Sequence, residues 1–245
     1  MLQGSRVAFL DIQNEVSQEL VQSLSVKGPE PIYVECDVTD ISALKNAIQQ
    51  VEGELGAVRV LINNAANAER HNPEEVTTEY WENRLKVNLN HHFFAAQAVQ
   101  PKMAKAGGGS IINIGSVSAL TGQPFISAYS TSKGALATLT RNTAFALLKN
   151  KIRVNQLNIG WMASDGEHDI QTKYHGAPED WLEEAGKAQP FERLLDPREV
   201  AKAVTFLASD DSGMMTGSVV NFDQSVWGGY PFSPPVPADK IKLDK

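Results

Sequence analysis

The sequence predicts an α/β protein: a single domain on a doubly wound parallel sheet. Short β-branched runs alternate with longer segments of helical period, the pattern of strands joined by crossover helices. A chain of 245 residues, 42% hydrophobic and 21% charged, can bury one large core. Neither internal repeats nor low-complexity blocks interrupt the alternation.

In chain order, the apolar run Arg6–Asp11 reads as the first strand, and Asn14–Leu24 as the helix after it. Pro31–Asp37 and Val58–Asn63 are the next strands, separated by a helical pattern over Ile41–Leu55. A long helix is expected over Thr78–Ala106, then a strand at Ser110–Gly115, a helix at Ser127–Leu148 and a strand at Ile152–Leu157. Gly107-Gly-Gly109 reads as a plain turn. Met162–Pro190 is long and polar, with Trp161, Trp181, His168 and His175 in or beside it, and is expected to be a lid or binding loop. Asp196 can cap a helix over Pro197–Ser209, with Pro197 at its first position, and Ser218–Phe222 is the last strand. Residues 1–229 form the expected domain, and Tyr230–Lys245, with four prolines, an extended arm.

The composition excludes several function classes. No apolar stretch is long enough to span a bilayer, and Met1–Asp11 lacks a signal-peptide pattern, so a soluble cytoplasmic protein is expected. The net charge of −7 without Lys/Arg clusters gives no footprint for nucleic acid or an anionic membrane. The lone Cys36 allows no internal disulfide. Small molecules remain as partners. Metal binding is not expected: His91 and His92 are neighbours pointing to different helix faces, and no His-Glu-x-x-His occurs. The surroundings of Ser116 do not form Gly-x-Ser-x-Gly, which removes a serine-hydrolase reading.

The chemistry centres on Tyr129-Ser-Thr-Ser-Lys133. On a helix, residues four apart share a face, so the ammonium lies beside the phenol. A tyrosine with a pKa of about 10 must lose about three units, on the order of 4 kcal/mol, to act as a base near neutrality. A cation about 4 Å away at an effective dielectric near 20 supplies about that much. Ser116 lies 13 residues earlier, where a strand ends, so its hydroxyl can face the same substrate oxygen. Asn63-Asn64-Ala65-Ala66 closes another strand, and Asn88 is a polar residue in an apolar helix that needs an internal partner.

These residues resemble the short-chain dehydrogenase/reductase family over almost all of 6–229. Asn88, Ser116, Tyr129 and Lys133 fall on its Asn-Ser-Tyr-Lys tetrad, and residues 63–66 on its Asn-Asn-Ala-Gly motif. The resemblance implies a Rossmann-like fold and NAD(P)-dependent interconversion of a secondary alcohol and its carbonyl. Tyr129 would move the hydroxyl proton and Ser116 would hold the substrate oxygen. Lys133 would lower the Tyr129 pKa and bind the nicotinamide ribose, while Asn88 would hold a water linking Lys133 to solvent. Asp11, followed by Ile12, falls where an acid meets the adenosine ribose, and a carboxylate there repels a 2′-phosphate, so NAD is expected over NADP. Asp37 and Val38 resemble the adenine-flanking pair. Asn64, Ala65, Gly160, Met162 and Ser164 fall on further cofactor positions, with Ile159 where the family has proline.

One departure is large. The family's opening strand and its Thr-Gly-x-x-x-Gly-x-Gly loop have no counterpart, so roughly 35 residues implied by the resemblance are missing at the N-terminus. The missing strand would lie between those ending at Asp11 and Asn63; either these two close up on each other, or the chain is a truncated product. Three readings follow: an NAD-dependent sugar or polyol oxidoreductase, a truncated and inactive or partner-bound relative, and an unrelated α/β binding module. The segments 63–71 and 107–116 look most like members that oxidise aldoses or polyols. Asn67, Ser118, Gln123, Trp161 and His168, with Ser116 and Tyr129, can line a pocket for a polyhydroxylated ligand. Family members commonly dimerise or tetramerise through the two long helices, here expected to be apolar on more than one face.

Overall fold

The computed structural model describes residues 4–226, so the expected C-terminal arm lies outside the described residues. The expected six strands are present, all in parallel pairs. In order the elements are β1 (Ala8–Asp11), α1 (Asn14–Ser25), β2 (Ile32–Glu35), α2 (Ile41–Leu55), β3 (Val60–Asn63) and α3 (Thr78–Leu85). There follow α4 (His91–Lys105), β4 (Gly109–Ser116), α5 (Ser127–Leu147), β5 (Ile152–Ile159), α6 (Asp165–His175), α7 (Trp181–Lys187), α8 (Pro197–Ala208) and β6 (Val219–Phe222).

Two sheets result, β1-β2 and β3-β4-β5-β6. The strands ending at Asp11 and Asn63 do not close up on each other: among the described residues β1 pairs with β2 alone, and β3 with β4 alone. Consequently Val60 and Ile62 of β3 remain 39% and 47% exposed, where a central strand would bury them.

Strand alternation sends Ile111 of β4 to one face and Ile112 and Ile114 to the other. Ile111 packs with Val99, Met103, Val154 and α2 residues Leu44 and Ile48. Ile112 and Ile114 pack with Leu157 and with Leu207 of α8. Each such fully buried side chain contributes roughly 1.5 to 3 kcal/mol. Asp196 caps α8 as expected, accepting from the Arg198 amide at 2.7 Å, and Glu199 completes a capping box.

A polar ladder crosses the four-stranded sheet through its core. Asn63 Nδ2 donates to Asn113 Oδ1 (2.9 Å), Asn113 Nδ2 to Thr140 Oγ1 (2.9 Å), and Thr140 Oγ1 to Gln156 Oε1 (3.1 Å). Gln156 Nε2 continues to Asn158 Oδ1 (2.6 Å), and Asn158 Nδ2 to Asn221 (3.0 Å). An unsatisfied member would cost about 1 to 3 kcal/mol, so the ladder fixes the relative positions of the strands carrying it. Gly115 sits against it, where a Cβ would lie 2.1 Å from Asn158 Oδ1. Ser116, the next residue, is therefore held at the strand's carboxyl end by tight packing.

Two expectations need correction. Met162–Pro190 is not a loop but contains α6 and α7; Ser164 caps α6 through the Glu167 amide, and Gly176 ends it in the left-handed conformation at φ 57°. The long helix over 78–106 is interrupted at Lys86–Asn90 by a π-helical turn holding Asn88. The Gly107–Gly109 turn is as expected, with Gly107 and Gly108 at φ 94° and 109°.

Candidate active site

β4 delivers Ser116 to the carboxyl end of the sheet, and the first turns of α5 lie beside it with Tyr129 and Lys133 one helical turn apart. The Tyr129 phenol is hydrogen-bonded to the Ser116 hydroxyl, which also accepts from the Ser118 amide at 3.1 Å. Lys133 is 1% exposed; its Nζ stands 5.5 Å from the Tyr129 ring centroid and donates to the Ile114 carbonyl at 2.7 Å. Ser116, Tyr129 and Lys133 thus meet as expected.

The electrostatics differ from expectation. Burial pushes the Lys133 ammonium down to about 7. Burial also pushes the Tyr129 phenol above its ordinary value; the Ser116 hydrogen bond pulls it down, Glu167 pushes it up, and Arg70 pulls it down. The expected acidification of Tyr129 by Lys133 is therefore corrected for the free protein. Desolvating a phenolate costs more than its neighbours return, and Lys133 directs an N–H at a main-chain carbonyl.

Asn88, fully buried, finds the internal partner its position required. Its Oδ1 accepts from the Asn67 amide (2.8 Å) and its Nδ2 donates to the Asn67 carbonyl (3.0 Å). The side chain thus clamps the segment after β3. His91 and His92, three and four residues on, do not point apart: both are buried, with ring centroids 4.0 Å apart.

On the substrate side, Ser118 is buried, while Gln123 is exposed. Asn67 turns its Oδ1 to the Glu69 amide at 2.8 Å. His168 accepts from the Trp181 indole at 2.9 Å through Nδ1, which commits that nitrogen to packing. Trp161 donates to Glu167 Oε1 at 2.8 Å. Glu167 also receives Gln171 (2.7 Å) and pairs with Arg70 (3.3 Å), and Arg70 lies 5.2 Å from the Phe125 ring. Between the segment after β3 and α6 opens a pocket of about 270 Å³ lined by Asn67, Glu69, Asp169, Ile170, Lys173 and Tyr174.

Residues 1–226 match the family model described as Enoyl-(Acyl carrier protein) reductase. A probable galactose dehydrogenase of Rhizobium meliloti (strain 1021) is 37% identical over 92% of this chain and 86% of its own length. A D-xylose 1-dehydrogenase of Caulobacter vibrioides is 38% identical over 88% and 83%. The chain belongs to the short-chain dehydrogenase/reductase family. An NAD+-bound xylitol dehydrogenase superposes with a TM-score of 0.83 at 28% identity, covering 90% of this chain and 89% of that one. The fold is accordingly Rossmann-like, and the chain is an oxidoreductase acting on CH–OH groups, in a family that uses a nicotinamide cofactor.

In this short-chain dehydrogenase/reductase, the residues expected on the cofactor side lie after strand carboxyl ends. Asp11 closes β1 with Oδ1 on the Gln13 amide (2.9 Å), and Ile12 beside it is 66% exposed. Asp37 and Val38 follow β2, with Asp37 Oδ1 on the Thr39 amide (2.8 Å). Asn64 and Ala65 follow β3; Gly160, Met162 and Ser164 follow β5, Ser164 serving as the α6 cap. The donor set of Tyr129 and Lys133, with accessible carboxylates beyond, fits the ribose and nicotinamide end of a dinucleotide.

Sequence reasoning missed Glu167 and Arg70, the charged pair beside Tyr129. Their separation of 97 positions leaves no local trace. The helix carrying Glu167 did leave one, since Ser164-x-x-Glu167 is a capping-box pattern.

No helix among the described residues is long and apolar enough to cross a membrane.

Proposed function

We propose that the chain is an NAD-dependent sugar or polyol dehydrogenase in which Tyr129 moves the substrate hydroxyl proton. The observation that carries this is the Ser116–Tyr129 hydrogen bond at the carboxyl end of β4, with the buried Lys133 amine behind the ring. Ser116 holds the substrate oxygen and the Tyr129 phenolate takes its proton, becoming the neutral phenol as the hydride leaves the carbon. Lys133, anchored on the Ile114 carbonyl, has further N–H groups for a ribose hydroxyl. Asn88 keeps the Asn67 segment in place beside the site. The bound cofactor supplies a hydride acceptor, and the protein supplies position and proton. Galactose, xylose and xylitol in the names of similar proteins support a polyhydroxylated substrate. Asp11 supports NAD over NADP through repulsion of a 2′-phosphate.

Titration of the purified protein with NADH and NADPH under fluorescence, followed by a panel of aldoses and polyols read at the NADH absorbance, tests this. Saturable NADH binding tighter than NADPH binding is expected, together with turnover of at least one neutral sugar. Neither a saturable response nor turnover would favour a second reading, an inactive or partner-bound subunit. That reading draws on the β1-β2 pair, which among the described residues has no ladder to β3.

A homo-oligomer through α4 and α5 belongs to the same proposal. Phe93 of α4 is 45% exposed; Phe145 of α5 and Leu148 just beyond it are 81% and 48% exposed. Phe145→Asp is expected to shift the mass measured by light scattering from dimer or tetramer toward monomer, with the circular dichroism unchanged. A wild-type monomer would remove this assignment.

A further inference from the structure

Glu167 occupies the third position of α6, where a capping-box glutamate would turn back to the main chain of Ser164. It does not. Its Oε1 instead collects three side-chain donors: Trp161 Nε1 at 2.8 Å, Gln171 Nε2 at 2.7 Å and Arg70 Nη2 at 3.3 Å. The carboxylate's hydrogen bonds all fall on this one oxygen. The group is thus held rigidly with one acceptor oxygen free.

Its position is fixed from two sides. Trp161 lies two residues beyond Ile159, the strand partner of Ser116, so it stands at the same carboxyl edge of the sheet, and Glu167, which its indole holds, is near enough to Tyr129 to push the phenol up. Arg70 rests 5.2 Å from the Phe125 ring, and Phe125 is four residues before Tyr129. Trp161 is 38% exposed and stacks on Trp181 at 6.0 Å with 27° between the rings, which leaves a supported aromatic face.

From this arrangement we infer that Glu167 and Trp161 form the subsite that selects neutral sugars, the indole taking a C–H face of the ring and Glu167 Oε2 accepting a hydrogen bond from a sugar hydroxyl. An ionised carboxylate accepts and cannot donate, so it pairs with a hydroxyl and rejects an anion. Arg70, the cation that could receive an anion, is already engaged by Glu167 and Phe125. The inference rests on the dehydrogenase reading above and names its substrate class: neutral aldoses and polyols, with uronic acids excluded.

The test compares D-galactose and D-xylose with D-galacturonate, which keeps the anomeric centre and ring hydroxyls of galactose but carries a carboxylate at the far end. Wild type, Glu167→Gln and Trp161→Phe are assayed for kcat and KM on each sugar, for NADH binding by fluorescence and for thermal unfolding. Glu167→Gln is expected to lower kcat/KM for the neutral sugars by about ten- to a hundredfold, mostly through KM. Galacturonate turnover should rise or hold, and NADH affinity should change less than about twofold. Trp161→Phe, which keeps a ring and removes one donor, should move the ratio the same way by less, and stands in if Glu167→Gln does not fold. An equal loss on neutral and acidic sugars, or an unchanged ratio, overturns the inference while the dehydrogenase reading survives. A wild type that turns over no sugar and gives no saturable NADH response overturns the reading itself.

Discussion

Tyr129→Phe is expected to lower sugar oxidation by about 10²- to 10⁴-fold while leaving NADH affinity within about twofold. General acid–base catalysis by a positioned group contributes about that range. The substitution removes one oxygen and keeps the ring that packs against Lys133 at 5.5 Å, so folding should not suffer. A residual rate within tenfold of wild type would assign the proton transfer elsewhere. The pH dependence gives an independent check. Burial holds the phenol above its ordinary value, and the base is its deprotonated form. The kcat/KM profile, which reports the free enzyme, should therefore climb through the alkaline range without a plateau near neutrality. Ser116→Ala removes the hydrogen bond that pulls the phenol down, so its profile should move further toward alkaline pH. Movement in the opposite direction would contradict the assigned roles.

The contrast between what local sequence carried and what it did not follows the range of the interactions. Strand and helix order, the α8 cap at Asp196, and the meeting of Ser116, Tyr129 and Lys133 all depend on short-range periodicity and one strand end, and each was readable. The sign of the Tyr129 shift was not, because it depends on how much water the fold removes around the phenol and on where Lys133 sends its N–H. The π-helical turn at Asn88 is set by the double hydrogen bond to Asn67, 21 positions away, a partner no helical pattern reveals. Likewise the polar run after Met162 looked like a loop because α6 is polar, with no buried residue. Its amphipathic signal is weak because it is held on the site by side chains, through Arg70–Glu167 and Tyr174–Glu69, more than by an apolar stripe.

The buried histidines of α4 should make the protein acid-labile. Burial holds His91 down to about 4, with repulsion from Lys133 adding to it and the Val87 carbonyl opposing; His92 lies well below its ordinary value from burial, then His91, then Lys133. An unfolded histidine titrates near 6.5, so between pH 6.5 and about 4 the unfolded chain binds protons that the folded chain refuses. The histidine contribution to stability is therefore fully present above pH 6.5 and is lost as the pH drops through this window. His91 alone should cost about 3 kcal/mol by pH 4. Urea midpoints at pH 7 and pH 4.5 measure it: wild type should lose much of its stability, and His91→Leu distinctly less. His91→Leu should cost about 1 kcal/mol at pH 7, since it deletes a buried neutral ring whose polar contact is the Val87 main chain. Equal acid losses in the two proteins would place the lability elsewhere. Because Lys133 repels both rings, Lys133→Met should raise the pH at which His91 takes up its proton, so that His91 reports on the charge state of the residue behind Tyr129. Burial drives the Lys133 ammonium down to about 7, so its folded-state charge is lost as the pH rises through that value. The stability it contributes then has the same sign as that of the histidines, increasing with pH from about 7 toward its unfolded pKa near 10.4. A wild-type stability that rises across both windows, and a Lys133→Met variant that rises only across the acidic one, would separate the two contributions.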